Sequence, residues 1–175
     1  GVGEEILCDL TDSDEVVKSL RDHAARRGMA VNGVACFDCE SLELAARVAE
    51  ELGVSFPSPS SVLSSRNKFL SKKMWMDAKV TCPRTVIARS ASDASGFMER
   101  VSGPVVLKPI TGSGSELVFK CTDRSECLEA FETIRTRLTE TKGNRMYMQA
   151  QAGEGGGDPR RDLVAEEFVA GEEYS

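Results

Sequence analysis

Two kinds of hydrophobic pattern alternate along the first third of the chain. Residues 16–24 and 42–52 carry apolar side chains at intervals of three and four, which predicts two amphipathic helices, the first ending at Gly28. Short apolar runs over residues 5–10 and 29–37 predict strands, the second buried on both faces. Because strands and helices alternate, this part of the chain is predicted to form a parallel sheet with crossover helices.

A segment rich in proline and serine, residues 56–61, separates this part from the rest and predicts a stiff, extended linker. After it, the patterns predict a helix over 65–77, a strand over 85–88, a helix over 92–101, strands over 104–107 and 117–121, a long helix capped by Asp123-x-x-Glu126, and strands over 145–151 and 162–168. The glycines of residues 153–159 predict a mobile, polar loop.

The stretch from Gly103 to Ser115 has the residues to hold phosphate. Its strand ends in Lys108, and glycines and small hydroxyl residues follow before the next strand begins. A glycine-rich turn lets backbone N–H groups approach anionic oxygens, and the lysine directs a positive charge to the same place. The order strand, lysine, loop, strand matches neither of the common nucleotide fingerprints, which place a helix after the loop. It predicts a β-hairpin flap over phosphates, with an ordinary turn that binds nothing as the alternative.

Composition narrows the class of protein. The chain has 175 residues, enough for one medium domain or two small ones, and its net charge of -6 argues against a nucleic-acid partner. No apolar run approaches the length of a membrane span and no signal peptide opens the sequence. We therefore expect a soluble, cytoplasmic protein that binds no membrane.

The cysteines and the histidine favour no metal or nucleophile site. Most of the six cysteines lie in apolar runs, where cysteine behaves as a small buried hydrophobe. Cys36 and Cys39 have the spacing of half a metal site or a redox pair, but no second pair accompanies them. The single histidine, His23, lies within a charged helix, so a Ser-His or Cys-His mechanism is not expected.

Three features in one order carry a resemblance to a known superfamily. They are Asn67-Lys68 at the start of a helix, the strand 105–109 with its loop 112–115, and the segment 165–175, Ala-Glu-Glu-Phe-Val-Ala-Gly-Glu-Glu-Tyr-Ser. Together they resemble the ATP-grasp superfamily, and within it the carboxylate–amine ligases, which include amino-acid ligases and carbamoyl-phosphate-synthetase-like proteins. One departure is Glu116-Leu117, where the family's flap often continues with an arginine and a glycine.

The resemblance implies a fold class of α/β followed by α+β. Residues 1–62 would be a partial pre-ATP-grasp domain with a parallel sheet, and 63–103 a linker with a helical and strand segment. Residues 104–175 would be the nucleotide-binding lobe, with flap hairpin, helix and hinge strand, in a truncated ATP-grasp domain. The family's metal ligands and catalytic residues are expected beyond Ser175, so this chain is expected to bind nucleotide weakly and to catalyse nothing.

The resemblance also implies roles for twelve residues. Lysines would touch the ATP phosphates, the flap would cover them, the hinge strand would read the adenine edge through backbone groups, and a glutamate would hold the ribose hydroxyls. In that order these residues are Lys68 and Lys108; Thr111, Gly112, Ser113, Gly114 and Ser115; Glu166, Glu167, Phe168 and Val169; and Glu173.

The implied activity is ATP-dependent ligation with Mg²⁺. A carboxylate would take the γ-phosphate to give an acyl-phosphate, and an amine or thiol would then displace phosphate. The partners would be small-molecule acids and amines, and a homodimer is compatible with this. Two alternatives stay open: a bicarbonate-activating enzyme of the biotin-carboxylase type, and a nucleotide-binding sensor without catalysis.

Overall fold

The computed structural model describes residues 3–141, 145–148 and 156–172. In chain order its elements are α1 (Ser13–Arg27), α2 (Leu42–Leu52), α3 (Pro59–Arg66), α4 (Lys68–Asp77), β1 (Thr85–Ala88), α5 (Ala91–Val101), β2 (Val105–Pro109), β3 (Phe119–Cys121), α6 (Arg124–Glu140), α7 (Arg145–Met148) and β4 (Leu163–Glu167). The chain divides into two compact units, Gly1–Leu63 and Ser64–Ser175. No helix in the described ranges is long and apolar enough to cross a membrane.

The first unit is built on α1 and α2, and both predicted helices are confirmed. Asp12 caps α1 by accepting hydrogen bonds from the backbone N–H groups of Asp14 and Glu15. Gly28 ends α1 in the left-handed conformation at φ 62°, which glycine adopts without steric cost. The two helices pack through a small core of valines, Val16, Val17 and Val48.

The strands predicted over residues 5–10 and 29–37 are wrong, because neither segment pairs as a strand and the parallel sheet is not formed by the described residues. An apolar run becomes a strand only where a neighbour takes its backbone hydrogen bonds and a packed layer covers its side chains. Here the cover is incomplete: Cys8 and Val34 pack against the valine core, but Leu7 is 93% exposed and Phe37 is 99% exposed.

The second unit contains a four-stranded antiparallel sheet in the order β1-β4-β2-β3. The hairpin of β2 and β3 and the strands β1 and β4 confirm the sequence predictions. Strand residues alternate between the two faces of a sheet. One face, with Val105, Leu107, Leu163 and Ala165, packs in the core that α5 and α6 share.

The opposite face of the sheet is different in character. It carries Val106 beside Glu166 and Lys108 beside Val164, in the register of β2 with β4. We call it the open face, because the core of α5 and α6 lies on the other side. The sequence therefore places an ionisable pair, Lys108 and Glu166, on adjacent strands of the open face.

Three further predictions need correction. The linker 56–61 is not fully extended, because α3 begins at Pro59, and proline suits the first turn of a helix. Residues 145–148 form the short helix α7 rather than a strand. Within the predicted mobile loop 153–159, residues 153–155 lie outside the described ranges, whereas Gly156 and Pro159 are buried.

The start of the loop after β2 approaches α7 closely at Gly112. Its φ is 119°, and a Cβ there would lie 3.0 Å from Cε1 of Tyr147 in α7. A side chain at this position would be strained by the backbone conformation and crowded by Tyr147. The Tyr147 hydroxyl donates to Glu116 Oε2 at 2.8 Å. Burial of the hydroxyl and, to a smaller extent, its hydrogen bond to Glu116 raise the pKa of Tyr147 to about 12. We call residues 111–115 the glycine loop, and it is thus held against α7 on one side.

Candidate functional site

The position of α4 is fixed by Asn67, which is fully buried. Its Oδ1 accepts hydrogen bonds from the N–H groups of Phe69 and Leu70, both at 3.0 Å, so it caps the helix. Its Nδ2 donates to the carbonyl of Gly156 at 3.1 Å. The backbone N–H of Lys68 donates to the carbonyl of Ile110 at 3.0 Å, which ties the start of α4 to the end of β2.

Lys68 therefore lies beside the glycine loop. Its Nζ donates to the carbonyl of Gly112 at 3.0 Å. Burial, and then the positive charges of Lys108 and Arg66, lower the pKa of Lys68 from 10.5 to about 8. Lys108 and Arg66 are thus both near enough to Lys68 to act on its charge. A nearby anion would reverse this effect and restore the charged form.

A single carboxylate pairs with two lysines on the open face. Glu166 Oε2 lies 2.7 Å from Lys108 Nζ, and Oε1 lies 3.1 Å from Lys72 Nζ. The three side chains are nearly buried, with 11%, 18% and 14% exposure respectively. Lys72 is one helical turn after Lys68 on α4, so both lysines lie on the same side of the helix.

Arg66 adds a fourth cation. Its Nε and Nη2 are buried and have no hydrogen-bond partner within the described part of the chain, and the same holds for the Thr111 hydroxyl. Buried donors without a partner are costly, so they are unusual unless a ligand or water completes them. We call Arg66, Lys68, Lys72 and Lys108 the cationic cluster. Among the described residues, Lys72 and Lys108 of this cluster form ion pairs with Glu166, and the cluster is suited to an anionic ligand.

The predicted flap residues after Thr111 lie at the tip of the loop. Ser113, Gly114 and Ser115 are exposed, and both Gly114 and Ser115 have positive φ, 69° and 57°. The Ser113 hydroxyl donates to the Met146 sulfur at 3.8 Å. Of the five flap residues, Thr111 and Gly112 border the cationic cluster and the other three extend away from the core.

The predicted hinge residues divide between the two faces. Glu166 joins the cationic cluster, whereas Glu167 accepts from Arg84 through both oxygens, at 3.0 and 3.2 Å, which lowers the Glu167 pKa. Lys120 Nζ lies 3.9 Å from the centre of the Phe168 ring. Val169 is exposed.

Backbone pairing limits where the hinge could read a base. Strand β4 is paired on both sides, with β1 and β2. At its end, the N–H groups of Glu167 and Phe168 donate to the carbonyls of Arg84 and Pro104. The backbone N–H groups up to Phe168 are therefore engaged within the protein, and reading of an adenine edge by the hinge stays a prediction. Glu173 lies outside the described residues, and its predicted role stays a prediction.

Sequence reasoning missed two members of the cluster. Lys72 had a visible signal, because it follows Lys68 by one helical turn. Arg66, a half-buried residue, had only its place beside Asn67-Lys68, since two buried nitrogens without a partner can be recognised only in three dimensions. No group of three or more His, Cys, Asp or Glu in the described ranges could hold a metal ion.

Comparison with known proteins agrees with this geometry. The sequence model of the RimK-like ATP-grasp domain matches residues 65–171, which include α4, the whole sheet and the cationic cluster. The chain belongs to the RimK-like ATP-grasp family. The fold class expected from the sequence is confirmed at this level, as a mixed helix and strand fold in which the described sheet is small and antiparallel.

Three proteins similar to this chain illustrate the matches. It is 29% identical to dapdiamide A synthase of Enterobacter agglomerans over 110 residues, which are 62% of this chain and 22% of that protein. The L-amino acid ligase from Bacillus licheniformis superposes with a TM-score of 0.63 at 20% identity, covering 94% of this chain and 32% of the ligase.

The third relative has a different activity. The biotin carboxylase domain of Hydrogenobacter thermophilus 2-oxoglutarate carboxylase, solved with MgADP, ADP and bicarbonate, gives a TM-score of 0.64 at 20% identity, covering 88% of this chain and 31% of that chain. At this identity the two structures show the fold alone. The chain spans 22% to 32% of the length of the three relatives.

Proposed function

We propose that this chain supplies the ATP-binding part of a ligase that joins a carboxylate to an amine or a thiol through an acyl-phosphate. The observation that carries the proposal is the cationic cluster. Lys68 and Lys108 come from distant parts of the sequence, yet Lys108 lowers the Lys68 pKa, and Lys68 bonds the glycine loop directly. Such an arrangement suits a polyphosphate chain, because its several negative charges can balance cations that the single charge of Glu166 cannot balance alone.

In this proposal the phosphate chain lies over the open face, between α4 and the glycine loop. Lys68 and Lys108 bind phosphate oxygens, and the Lys68 amine exchanges the Gly112 carbonyl for the ligand. The loop covers the phosphates and keeps water from the reacting group, which protects an acyl-phosphate from hydrolysis. Phe168 and Val169 border the base, and Glu173 binds the ribose hydroxyls.

The family resemblance implies Mg²⁺, which would neutralise charge on the phosphate oxygens. The residues described by the structure do not contain a cluster that fits a metal ion, so we derive no step through it. No residue of this chain is assigned to bind the acid or the amine. A homodimer and a cytoplasmic location are part of the proposal and rest on the resemblance.

Equilibrium titration with ATP tests the binding step. We expect the chain to bind ATP and Lys108→Gln to weaken binding by about tenfold or more, since a charged hydrogen bond to phosphate is lost. Lys73→Gln is the matched control, because it removes an equal charge from an exposed position of the same helix. Absence of ATP binding, or equal effects of both substitutions, would contradict the proposal.

The bicarbonate-activating alternative has support in the fold, because the biotin carboxylase domain superposes as well as the amino acid ligase, with TM-scores of 0.64 and 0.63. Trapping with hydroxylamine across a set of carboxylic acids separates the two, because an organic acyl-phosphate gives a stable hydroxamate. The measurement requires the full-length protein. If neither any acid nor bicarbonate supports ATP hydrolysis by that protein, a nucleotide sensor becomes the better interpretation.

A further inference from the structure

Arg66 is the last residue of α3 and directly precedes Asn67, the cap of α4. Its Nε and Nη2 are buried and have no partner among the described residues. A guanidinium stays protonated at any physiological pH, so it cannot lower the cost of burial by losing its charge. Nothing in the described protein satisfies this edge of the side chain.

Arg84 shows how the same unit holds a structural arginine. Its guanidinium donates to both oxygens of Glu167 and to the carbonyls of Arg100 and Val101. Arg66, by contrast, has no carboxylate within the described ranges, and its charge instead repels Lys68. Of the cationic cluster, Lys72 and Lys108 share Glu166, which leaves Arg66 and Lys68 uncompensated.

The geometry of the free edge indicates its ligand. Nε and Nη2 lie on the same side of a guanidinium, and their N–H bonds run parallel. Two parallel donors match two oxygens of one phosphate group, as in bidentate arginine–phosphate pairs. A lysine amine has one compact charge and cannot reproduce this fork.

We propose that Arg66 binds the phosphate chain of the ligand directly, as a third cation beside Lys68 and Lys108. The inference deepens the proposed function and rests on it for the identity of the ligand. It assigns a residue that neither the sequence motifs nor the lysine pair includes. It also gives a use to the two donors that the described chain leaves unsatisfied.

Inorganic tripolyphosphate is the probe, because it occupies the phosphate site without a base or ribose. We expect Arg66→Gln to weaken tripolyphosphate and ATP binding by about tenfold to a hundredfold, the range for charged hydrogen bonds. Arg66→Lys keeps the charge and loses the fork, so its loss should be smaller. Arg124→Gln is the matched control: it removes an exposed arginine that pairs with Glu99 at 3.1 Å, and should change neither affinity.

Thermal unfolding separates this role from a structural one. If Arg66 only supported the fold, Arg66→Gln would lower the Tm of the ligand-free protein. If Arg66 instead binds phosphate through donors that are buried and unpaired in the free protein, the opposite is expected. The ligand-free Tm of Arg66→Gln should then stay the same or rise, and the Tm increase that tripolyphosphate gives should become smaller. A lower ligand-free Tm with an unchanged ligand-induced increase would overturn the inference.

The binding outcomes also distinguish the inference from the proposed function. If ATP binds but Arg66→Gln and Arg66→Lys bind tripolyphosphate as tightly as the unaltered chain, Arg66 is not a phosphate ligand. If tripolyphosphate binding depends on Arg66 but ATP binds no more tightly than tripolyphosphate, the anion site is supported and the nucleotide function is wrong. If neither ligand binds at millimolar concentration, both are wrong.

Discussion

At the scale of single residues, the adjacent glutamates Glu166 and Glu167 are both paired, but in different environments. Glu166 is 11% exposed and bridges Lys72 and Lys108, whereas Glu167 is 35% exposed and pairs with Arg84 near the surface. Attraction between charges depends strongly on how far solvent is excluded. Neighbouring residues of identical type should therefore differ widely in their contribution to stability.

We predict that Glu166→Gln lowers the free energy of unfolding by about 3 kcal/mol, because two nearly buried lysine amines lose their counter-charge. Urea denaturation measures the change. Glu167→Gln is the control and should cost much less, since water screens its pair with Arg84. Equal losses from the two substitutions would show that Glu166 does not compensate a buried charge.

Lys68 predicts a pH dependence of phosphate binding. In the free protein its pKa is about 8, below the ordinary 10.5, because burial and two cations oppose the charged form. A bound polyphosphate favours the charged form and raises the pKa, so binding takes up a proton above pH 8. Tripolyphosphate affinity should be nearly constant well below pH 8 and fall as the pH rises through about 8, by at most about tenfold per pH unit for one proton.

Calorimetry in buffers with different ionisation enthalpies measures this proton uptake. Lys68→Gln should bind more weakly and lose the decline above pH 8. Lys73→Gln, on the exposed side of the same helix, should keep it. A decline that persists unchanged in Lys68→Gln would assign the titration to another group.

What the sequence could predict about the site follows from how each residue acts. Lys68, Lys108 and Glu166 are recognisable because they occupy fixed places in motifs, and the structure brings them together. Lys72 could have been predicted from its spacing of one helical turn after Lys68. Arg66 was not, since its interest comes from donors that lack a partner, and only the packed neighbours reveal this.

At the scale of elements, the segment before β4 is a packed part of the second unit. Gly157 has a φ of 75°, and a Cβ there would lie 2.6 Å from Ile110 Cδ1 and 3.0 Å from Ile87 Cδ1. Asp162 Oδ2 accepts from the N–H of Asp158 at 2.9 Å and closes the turn. This turn supports the end of β2 from which the glycine loop starts.

We predict that Gly157→Ala lowers the free energy of unfolding by about 2 kcal/mol, through the unfavourable φ and the contact with a fully buried isoleucine. Gly114→Ala isolates the first cause, because Gly114 has a similar φ of 69° but nothing within 4 Å of an added Cβ. Urea denaturation of both variants gives the difference. If Gly114→Ala costs as much as Gly157→Ala, the packing of this turn contributes nothing.

Element prediction succeeded where sequence and packing agree. The apolar, β-branched run before Lys108 predicts a strand, and β2 forms there, with buried and half-buried positions alternating over Val105–Pro109. Residues 29–37 are equally apolar but have no paired neighbour, and residues 145–148 are too short for their period to decide between helix and strand. Pairing partners, which the local sequence does not specify, determine these cases.

At the scale of the whole molecule, the two units have cores of different size. The core of Gly1–Leu63 centres on three buried valines, whereas that of Ser64–Ser175 contains fifteen buried residues, with Phe97, Phe131 and Tyr147 among them. Stability from burial rises with the apolar area removed from water. The described residues therefore predict that the second unit, which carries the cationic cluster, is the more stable one.

We predict that the two units unfold in separate steps and that tripolyphosphate shifts only the second. Trp75, the single tryptophan, lies on α4 with Lys72 Nζ 4.8 Å from its ring, so its fluorescence reports on the second unit alone. Far-ultraviolet circular dichroism reports on the helices of both units. In urea, the dichroism should begin to fall before the fluorescence changes, and tripolyphosphate should move the fluorescence midpoint to higher urea while leaving the early loss of dichroism in place. Coincident transitions that shift together would mean that the small valine core unfolds with the sheet as one cooperative structure.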